Sequence, residues 1–440
     1  MKNYYLYLIL VIFFSSCKSE EDPFSPDFAN EAIAERDEKV ELVSSVVTKI
    51  TSAEPSANFS ELEVLDELAG TRIIGMGEAS HGTREFFDMK HKMLRFFVEE
   101  HGYRGIIMEA DFGECLKANE FVLHDIGTID EVMSDMHFWT WRTEEVKNMI
   151  KWMHDYNLDK SIEDKIYYLG SDCQFTDSNL ELFEDRISEL PDDIENSLRT
   201  YSDRLTKNIF EVTELDMVEY NLSQADSLIQ KIDFYQSEIE TSTSIEEYEI
   251  LLRLVEVTFQ VLTSVENRIL GESYNYRDLY MAENTLWWAD HFQSDEKFLV
   301  WAHNFHVSTI DLNDSFGGSQ GAHLRSFLND DYKVIGFSMA VGSYNAVSNQ
   351  QGLSAGMLPS KVEFSSLNDI FYLEENNNFI WVLNEDIKSN PVFEWFNNER
   401  EFMSVGAVHP TSSFYTNINI FSEYDVMIHF DISTPTELIQ

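Results

Sequence analysis

Residues 72–111, RIIGMGEASHGTREFFDMKHKMLRFFVEEHGYRGIIMEAD, decide the fold class. The run RIIGMG is short, apolar and bounded by a turn signal, so it predicts a buried strand, and GIIMEAD predicts a second one. Between them, TREFFDMKHKMLRFFVEEHG carries apolar residues at helical spacing. This strand, helix, strand order is typical of a parallel sheet with a right-handed crossover, and we predict an α/β fold.

The rest of the chain extends this pattern with more strands and a long helical stretch. From Ser171 to Leu270 there is no glycine and a single proline, Pro191, so this stretch must be mostly helical. We therefore predict a mostly parallel sheet flanked by helices, as one domain over residues 28–440, with a large helical cap inserted at about residues 175–292. A separate helical domain without a role in the site is the alternative. The later strands are expected at KIYYLGSDC, FLVWAHN, YKVIGFSM, FIWVLN and YDVMIHFDIS.

The N-terminal sequence, MKNYYLYLILVIFFSSCKSEED, resembles the leader of a bacterial lipoprotein. Its apolar stretch is too short for a good membrane span, and Cys17 follows two small residues, as a cysteine does where such leaders are cleaved and acylated. We expect a signal peptide at residues 1–16, lipidation at Cys17, an acidic tether at residues 17–27 and then an amphipathic helix from Ala29 to Ile50. The protein would be held at the outer membrane of the cell envelope by this lipid alone, and the acidic run after the cysteine suggests the cell surface. A soluble secreted protein with an incidental cysteine is the alternative.

Composition and charge limit the partners of the chain. Its 440 residues are 43% hydrophobic and 13% aromatic, which is typical of a packed globular protein. With 79 acidic and 31 basic residues the formal net charge is −48, which would repel a phosphate backbone, so we expect no nucleic-acid partner. Cys115 and Cys173 are too few for a disulfide framework, although one bridge between them stays open.

Acidic and imidazole side chains follow three of the predicted strands. Glu78 and His81 come directly after RIIGMG, Glu109 lies at the end of GIIME, and His303 and His306 follow FLVW. Because ligands bind outside the carboxyl ends of parallel strands, we expect these side chains to lie at one edge of the sheet. A carboxylate beside an imidazole can orient that ring, and the ring can then take a proton from water.

Four blocks, GEASHGTREFF, EHGYRGIIMEADF, RDLYMAEN and VWAHNFHV, resemble successive blocks of the erythromycin esterase family. The resemblance implies a carboxylic ester hydrolase that cleaves a small-molecule ester or macrolactone with an activated water, without a serine nucleophile and without a metal cofactor. It implies that His81 is the general base with Glu78 as its acidic neighbour, and that Glu109 is a second essential acid. His303 and His306 form the opposing pair, which would stabilise the oxyanion or protonate the leaving alkoxide.

Three further residues are expected to contact the substrate: Arg84 and Asn304 from these blocks, and Lys90, which precedes His91. Lys90 stands where at least some family members have arginine. Lysine keeps the charge but loses the planar two-pronged contact. The substrate stays open, because a family does not fix a substrate, and an ester other than a macrolide, with no link to antibiotic resistance, is equally compatible.

Three other functions remain open from the sequence. Ser319 lies in Gly317 to Gly321, GGSQG, which matches the G-x-S-x-G pattern of serine esterases, although the preceding DLNDSF is polar and does not predict the strand which that motif needs. The three-residue spacings in the acid and histidine blocks also suit shared ligation, which would indicate a metal- or haem-binding lipoprotein or a metallopeptidase. A non-catalytic binding lipoprotein is the third alternative.

Overall fold

A computed structural model of the chain describes residues 26–207, 212–292, 296–310, 317–348, 351–372 and 378–439. The predicted signal peptide, Cys17 and nearly all of the tether lie outside the described residues. Among the helices of the described ranges, none is both long enough and apolar enough to cross a membrane.

The described strands form one large sheet and one small one. In the large sheet the order is β1-β8-β11-β6-β2-β5-β3-β4, with β7 paired to β6, and β9 pairs with β10 in the small sheet. The strands are β1 (Thr48–Lys49), β2 (Ile73–Met76), β3 (Gly105–Asp111), β4 (Tyr167–Asp172), β5 (Phe298–Trp301), β6 (Tyr332–Ser348), β7 (Gly352–Met357), β8 (Phe379–Val382), β9 (Arg400–Met403), β10 (Tyr415–Ile418) and β11 (Val426–Ser433).

Helices surround the large sheet. They are α1 (Pro26–Ser44), α2 (Arg84–His101), α3 (Phe112–His124), α4 (Ile129–Asp135), α5 (Glu144–Asn157), α6 (Asp177–Ile187), α7 (Asp192–Ser202), α8 (Leu215–Phe234), α9 (Gln236–Ser242), α10 (Ile245–Leu270), α11 (Tyr276–His291), α12 (Asn304–Val307), α13 (Gln320–Leu328), α14 (Leu367–Phe371), α15 (Glu385–Lys388) and α16 (Ile420–Glu423). Short 3₁₀ helices lie at Leu62–Leu68, Ile162–Asp164, Asn329–Asp331 and Pro391–Asn397.

The centre of the large sheet is parallel, and the predicted α/β class is confirmed. Strands β11, β6, β2, β5, β3 and β4 all pair in parallel, whereas β8 and β1 are antiparallel. The central strands are buried on both faces, which explains their continuous apolar runs. Strand β5 is inserted between β2 and β3, although it follows both of them far along the chain, so the carboxyl ends of strands from distant parts of the chain meet at one edge.

The stretch predicted to be mostly helical carries α6 to α10, and α11 returns the chain to the sheet. Helix α11 lies against β4, where Trp288 Nε1 donates to the carbonyl of Gly170 at 2.9 Å and Asn284 Nδ2 donates to that of Ser171 at 2.8 Å. Helix α10 packs on α11 and α6, and α8 packs on α10. A cap formed by these helices stays a prediction.

Two parts of the chain differ from the sequence-based expectation. The first helix ends at Ser44 instead of continuing to Ile50, and Thr48–Lys49 pairs with β8. The residues Val46, Val47 and Thr48 are β-branched and favour an extended backbone at this point. The last hundred residues, in which the sequence predicted only two strands, also supply β7, β9 and β10. They include the segment in which Val405 N donates to Ala79 O at 2.6 Å.

Candidate active site

The predicted acids and histidines meet at the carboxyl edge of β2, β3, β4 and β5, where a cavity of about 240 Å³ opens to solvent. This is the edge at which parallel α/β sheets bind ligands. Three of the five predicted site residues line the cavity directly, and the lining adds two aromatic side chains and several polar ones. The lining residues are His81, Glu109, Phe138, Thr140, Trp141, Asp172, Gln174, Arg277, His306 and Ala407.

His81 is held by a carboxylate three residues before it. Its Nδ1 lies 2.7 Å from Glu78 Oε1. Since an ionised carboxylate only accepts, Nδ1 carries the proton, and Nε2 of the neutral ring has a free lone pair. The ring is 9% exposed and lines the cavity, so this lone pair can take a proton from a water molecule bound there.

The carboxylate of Glu78 is fully buried and accepts from two further donors. Lys90 Nζ and Trp301 Nε1 each lie 2.7 Å from its Oε2. Burial alone would raise the pKa of Glu78, but Lys90 and His81 outweigh it and hold the pKa below its ordinary value. Burial also lowers the pKa of Lys90 to about 8, against the opposing charge of Glu78. The pair therefore stays ionised near neutral pH, and Glu78 keeps its negative charge behind His81.

Glu109 is the second buried acid, and it forms an ion pair with Arg277. Arg277 Nη2 donates to Glu109 Oε1 at 2.8 Å, and its Nε and Nη2 donate to the two carboxylate oxygens of Asp172 at 2.8 and 2.7 Å. The other oxygen of Glu109 accepts from the backbone N–H of His303 at 2.8 Å. Burial would raise the pKa of Glu109, but His306 and Arg277 hold it well below its ordinary value. Glu109 is therefore an ion-pair centre and holds no proton to donate.

His306 is held as a cation by two carboxylates. Its Nδ1 lies 2.7 Å from Asp278 Oδ1 and its Nε2 lies 3.2 Å from Glu109 Oε1. Burial would lower the pKa of His306, but Asp278 and Glu109 raise it to about 10. With both ring nitrogens protonated, Arg277 Nη1 at 3.1 Å from Nε2 is a neighbour and does not donate to it. The cavity lining thus has two positive groups, His306 and Arg277.

His303 differs from His306 in charge, because the ring of His303 is neutral. Its Nδ1 accepts from the backbone N–H of Phe305 at 3.2 Å, so the proton lies on Nε2, which is 3.5 Å from Ser404 Oγ. Burial and the neighbouring His81 lower the pKa of His303 to about 3. The rings of His303 and His81 lie 5.0 Å apart between centroids, so His303 adds no positive charge beside His81.

The three residues expected to contact the substrate are bonded within the protein. Among the described residues that line the cavity, Arg84, Lys90 and Asn304 are absent. Arg84 pairs with Glu145 at 3.0 Å and is 43% exposed at its side chain, on the outer surface of α2. Lys90 lies behind Glu78. Their geometry favours structural or positioning roles over substrate contact.

Asn304 joins the first residues of α12 to β6. Its Nδ2 donates to the carbonyl of Phe337 at 2.7 Å, and its Oδ1 accepts from the N–H of Phe337 at 3.1 Å. A Cβ atom on Gly77 would lie 2.1 Å from Asn304 Oδ1, so the turn after β2 needs a glycine there. This contact fixes the position of the turn that carries Glu78 and His81.

Ser319, the candidate nucleophile of a serine esterase, is a helix cap. Its Oγ accepts from the N–H of Ala322 at 3.1 Å and donates to the carbonyl of Ser308 at 2.5 Å. The side chain is fully buried and does not appear in the described cavity lining. The hydroxyl thus satisfies a helix N-terminus instead of facing a substrate.

Sequence reasoning did not assign Asp172, Arg277 or Asp278 to the site. Asp172 ends β4 just as Glu109 lies near the end of β3, so its position after an apolar strand was an available signal. Arg277 and Asp278 lie in the RDLYMAEN block, which served only for the family resemblance. Only the folded structure shows that α11 brings these two residues next to His306.

Two alternatives left open by the sequence are a metal site and a disulfide bond. Within the described residues, no group of three or more histidine, cysteine and acidic side chains is arranged as metal ligands would be. The metal-binding alternative therefore has no set of described ligands in its favour. Cys115 and Cys173 are both free and buried, so the disulfide left open above does not form.

The chain is similar to known proteins over most of its length. The family model described as erythromycin esterase matches residues 98–433. The chain is 26% identical over 351 residues to the erythromycin esterase type II of Escherichia coli, which covers 73% of this chain and 80% of that protein. Its structure is similar to a crystal structure of a Bacillus cereus protein, with a TM-score of 0.82 at 20% identity over 92% of this chain and 99% of that one. It is also similar to a mutant of the erythromycin esterase EreC in its open conformation, with a TM-score of 0.67 at 17% identity over 89% of this chain and 99% of that one.

At these identities the two structural similarities show the fold alone, an α/β protein with a central sheet flanked by helices. The family match covers most of the chain, and the chain belongs to the erythromycin esterase family. The resemblance found in the sequence blocks is confirmed, and the protein is a hydrolase of that family.

Proposed function

We propose that this protein hydrolyses a carboxylic ester with a water molecule activated by His81, without a serine nucleophile and without a metal cofactor. The observation that carries the proposal is the pair of His81 and Glu78, with Nδ1 and Oε1 2.7 Å apart, at the wall of the cavity. The carboxylate fixes the tautomer that leaves Nε2 free as a base.

The reaction follows from the charges around the cavity. His81 Nε2 takes a proton from water, and the water oxygen attacks the ester carbonyl carbon. Glu78 stabilises the resulting imidazolium, and His306 with Arg277 stabilises the oxyanion of the tetrahedral intermediate. Collapse of the intermediate breaks the bond between the acyl carbon and the alkoxide oxygen. The alkoxide then takes the proton from His81, which gives an acid and an alcohol.

The remaining predicted residues support this chemistry without reacting. Glu109 holds His306 and Arg277 in place through Oε1, and its other oxygen orients the backbone at His303. His303 stays neutral beside His81 and leaves the imidazolium of His81 without a second positive neighbour. Both are positioning residues in this mechanism.

We propose a small-molecule ester as the substrate, and a macrolactone is the candidate that the name of the Escherichia coli relative suggests. The cavity of about 240 Å³ is smaller than the roughly 300 to 1,000 Å³ of pockets that enclose drug-sized ligands. A compact ester fits it whole, whereas a macrolactone would place only its ester region inside.

The leader sequence supports a location for this activity. We propose that the protein is anchored in the cell envelope by a lipid on Cys17, as its position after two small residues indicates. Replacement of Cys17 by serine should move the protein from the membrane to the soluble fraction after cell lysis. Retention in the membrane fraction would contradict a lipid anchor at this residue.

Hydrolysis is tested with a panel of esters that runs from short-chain esters to macrolactones, with products identified by mass spectrometry. We expect an acid and an alcohol, or a ring-opened acid, from the unaltered protein, and His81→Ala should lower kcat by about 10²-fold to 10⁴-fold. Activity should survive EDTA. Loss of activity on chelation, restored by added metal ions, would instead favour a metallohydrolase, and no product from any ester would overturn the proposal.

A further inference from the structure

Outside the reacting residues, His137 forms an ion-paired cluster behind the cavity. Its backbone N–H and its Nδ1 both lie against Glu114 Oε2, at 2.8 and 2.7 Å. Its Nε2 lies 3.0 Å from Asp177 Oδ2 on the other side. One imidazole thus bridges α3 and the first residue of α6.

The ring is also stacked between the two loops that carry the outer cavity wall. It lies over Phe175, with centroids 4.0 Å apart and ring planes at 11°. Phe175 contacts the ring of Phe138 edge-on at 5.2 Å, and its N–H donates to Asp111 Oδ2 at 3.1 Å. The loop at residues 136–143 is therefore packed onto the loop at residues 173–176.

Both loops contribute side chains to the cavity. Phe138, Thr140 and Trp141 come from the first loop, and Gln174 comes from the second. Trp141 has an anchor of its own, since its Nε1 donates to the carbonyl of Glu109 at 3.1 Å. Gln174 is anchored as well, since its Nε2 donates to Asp172 Oδ2 at 2.7 Å. Phe138 therefore depends most on the contact between the loops for its position.

The acids around His137 favour its charged form. Hydrogen bonds to Asp177 and Glu114 raise the pKa of His137 to about 10. Glu114 is 1% exposed at its side chain and also closes the capping box of α3 through its other oxygen, so its position is fixed. A neutral side chain at position 137 would leave Glu114 buried without its cation, which is costly.

We propose that His137 is a positioning residue for the substrate, an imidazolium clamp that ties the 136–143 loop to the 173–176 loop and so fixes Phe138, beside Gln174, in the specificity wall of the cavity. This inference rests on the proposed function, because the wall acts on a substrate. The clamp itself can be measured without a substrate.

The test compares His137→Gln with a matched control elsewhere in the protein. His154 has a similar set of neighbours, since it lies between Asp125 at 3.0 Å and Asp155 at 3.2 Å and stacks on Phe121 with centroids 4.5 Å apart, but both of its acids are exposed. It contacts a different groove, lined by residues that are absent from the described lining of the site cavity. His154→Gln should therefore reproduce the loss of a stacked imidazole between two acids without an effect on the wall.

With an ester that the unaltered protein hydrolyses, His137→Gln should raise KM by about tenfold to a hundredfold and change kcat by less than about twofold. His137→Arg, which keeps a positive charge between the two acids, should restore part of the loss, and His154→Gln should leave both constants unchanged. A fall in kcat with KM unchanged would overturn the proposal.

A second measurement is independent of any substrate. Amide hydrogen exchange at residues 136–141 and 173–176 should be faster in His137→Gln than in the unaltered protein and unchanged in His154→Gln. Equal exchange in all three proteins would overturn the clamp, whereas absence of ester hydrolysis would overturn the proposed function alone. If His137→Gln does not fold, Asp177→Asn removes one of the two acids at a partly exposed position, and the same two readouts apply.

Discussion

Individual charged residues at the site were only partly predictable. The position of Glu78, His81 and Glu109 at the edge of the sheet could be predicted, because each lies at the end of an apolar strand or directly after one. The partners of Glu78 could not be assigned, because Lys90 comes from α2 and Trp301 from β5, and only the fold brings them to Glu78. The sequence predicted a substrate contact for Lys90, and the structure places it 2.7 Å from Glu78 Oε2, buried and outside the described lining of the cavity.

Lys90→Met should lower both stability and activity. It leaves the carboxylate of Glu78 buried with one cation fewer, which typically costs about 3 to 5 kcal/mol in the free energy of unfolding. The same change also loosens the orientation of His81, so kcat should fall. Denaturant unfolding and ester hydrolysis measure the two effects.

Lys92 provides the matched control on the same helix. It is equally buried and pairs with Glu61 at 2.6 Å, away from the cavity. Lys92→Met should lower the free energy of unfolding by a similar amount. At temperatures where this variant is still folded, its kcat should equal that of the unaltered protein. An equal loss of kcat in both variants would show that Lys90 acts through general stability and has no specific link to Glu78.

The charge on His137 predicts a pH dependence of stability. Its pKa of about 10 in the folded protein lies above the ordinary value of about 6.5. The stability that its positive charge contributes is therefore fully present below about pH 6.5 and is lost as the pH rises through 10. The acidic groups that face it are Glu114 from α3, Asp177 from α6 and the neighbouring Asp111, whose pKa burial and Glu114 raise well above its ordinary value. The gap in unfolding free energy between the unaltered protein and His137→Gln should shrink steadily from pH 6 to pH 10.5. A gap that stays constant or widens over this range would contradict a charged clamp.

At the scale of elements, the strands of the sheet centre were predicted because they are buried on both faces and read as apolar runs. Strands β7, β9 and β10 were missed because they are short or largely exposed and carry no such run. The end of α1 was placed too late for a different reason, since apolar spacing continues past Ser44 while β-branched residues change the backbone.

Gly77→Ala tests the junction that sets the turn after β2. The added Cβ would lie 2.1 Å from Asn304 Oδ1, so either the turn or α12 must move, and the free energy of unfolding should fall by about 1 to 3 kcal/mol. Because Glu78 and His81 follow directly, kcat should fall as well. Gly70→Ala is the control, since its Cβ meets nothing within 4 Å. An equal effect of the two changes on kcat would argue against this junction as the support of the site.

At the scale of the whole molecule, the order of the strands in the sheet could not be predicted from the sequence. Strand β5 lies between β2 and β3, and the C-terminal strand β11 lies between β8 and β6. The apolar pattern predicts where each strand lies in the sequence. It does not predict which strands are neighbours in the sheet, because that depends on packing between segments far apart in the chain. The parallel class was predictable from β2, α2 and β3 alone because two parallel strands in sequence need such a crossover.

The position of β11 predicts that the last residues are needed for folding. Its residues from Val426 to Phe430 are buried, and it pairs with a strand on each side. A chain cut before Val426 should show no cooperative unfolding transition, because the cut exposes the apolar faces and edges of β6 and β8. Ile432→Ala, at a position 48% exposed on the same strand, should change the free energy of unfolding by less than about 0.5 kcal/mol. Cooperative unfolding of the truncated chain would contradict this placement of β11.

The central claim, that His81 activates water in place of a serine nucleophile, is tested most directly by kcat/KM of His81→Asn and Ser319→Ala measured side by side on one ester. The account predicts that His81→Asn lowers kcat/KM by at least about a hundredfold. Ser319→Ala should lose a helix cap worth about 0.5 to 2 kcal/mol of stability and keep its kcat/KM within about twofold. Loss of activity in Ser319→Ala with activity retained in His81→Asn would contradict the account.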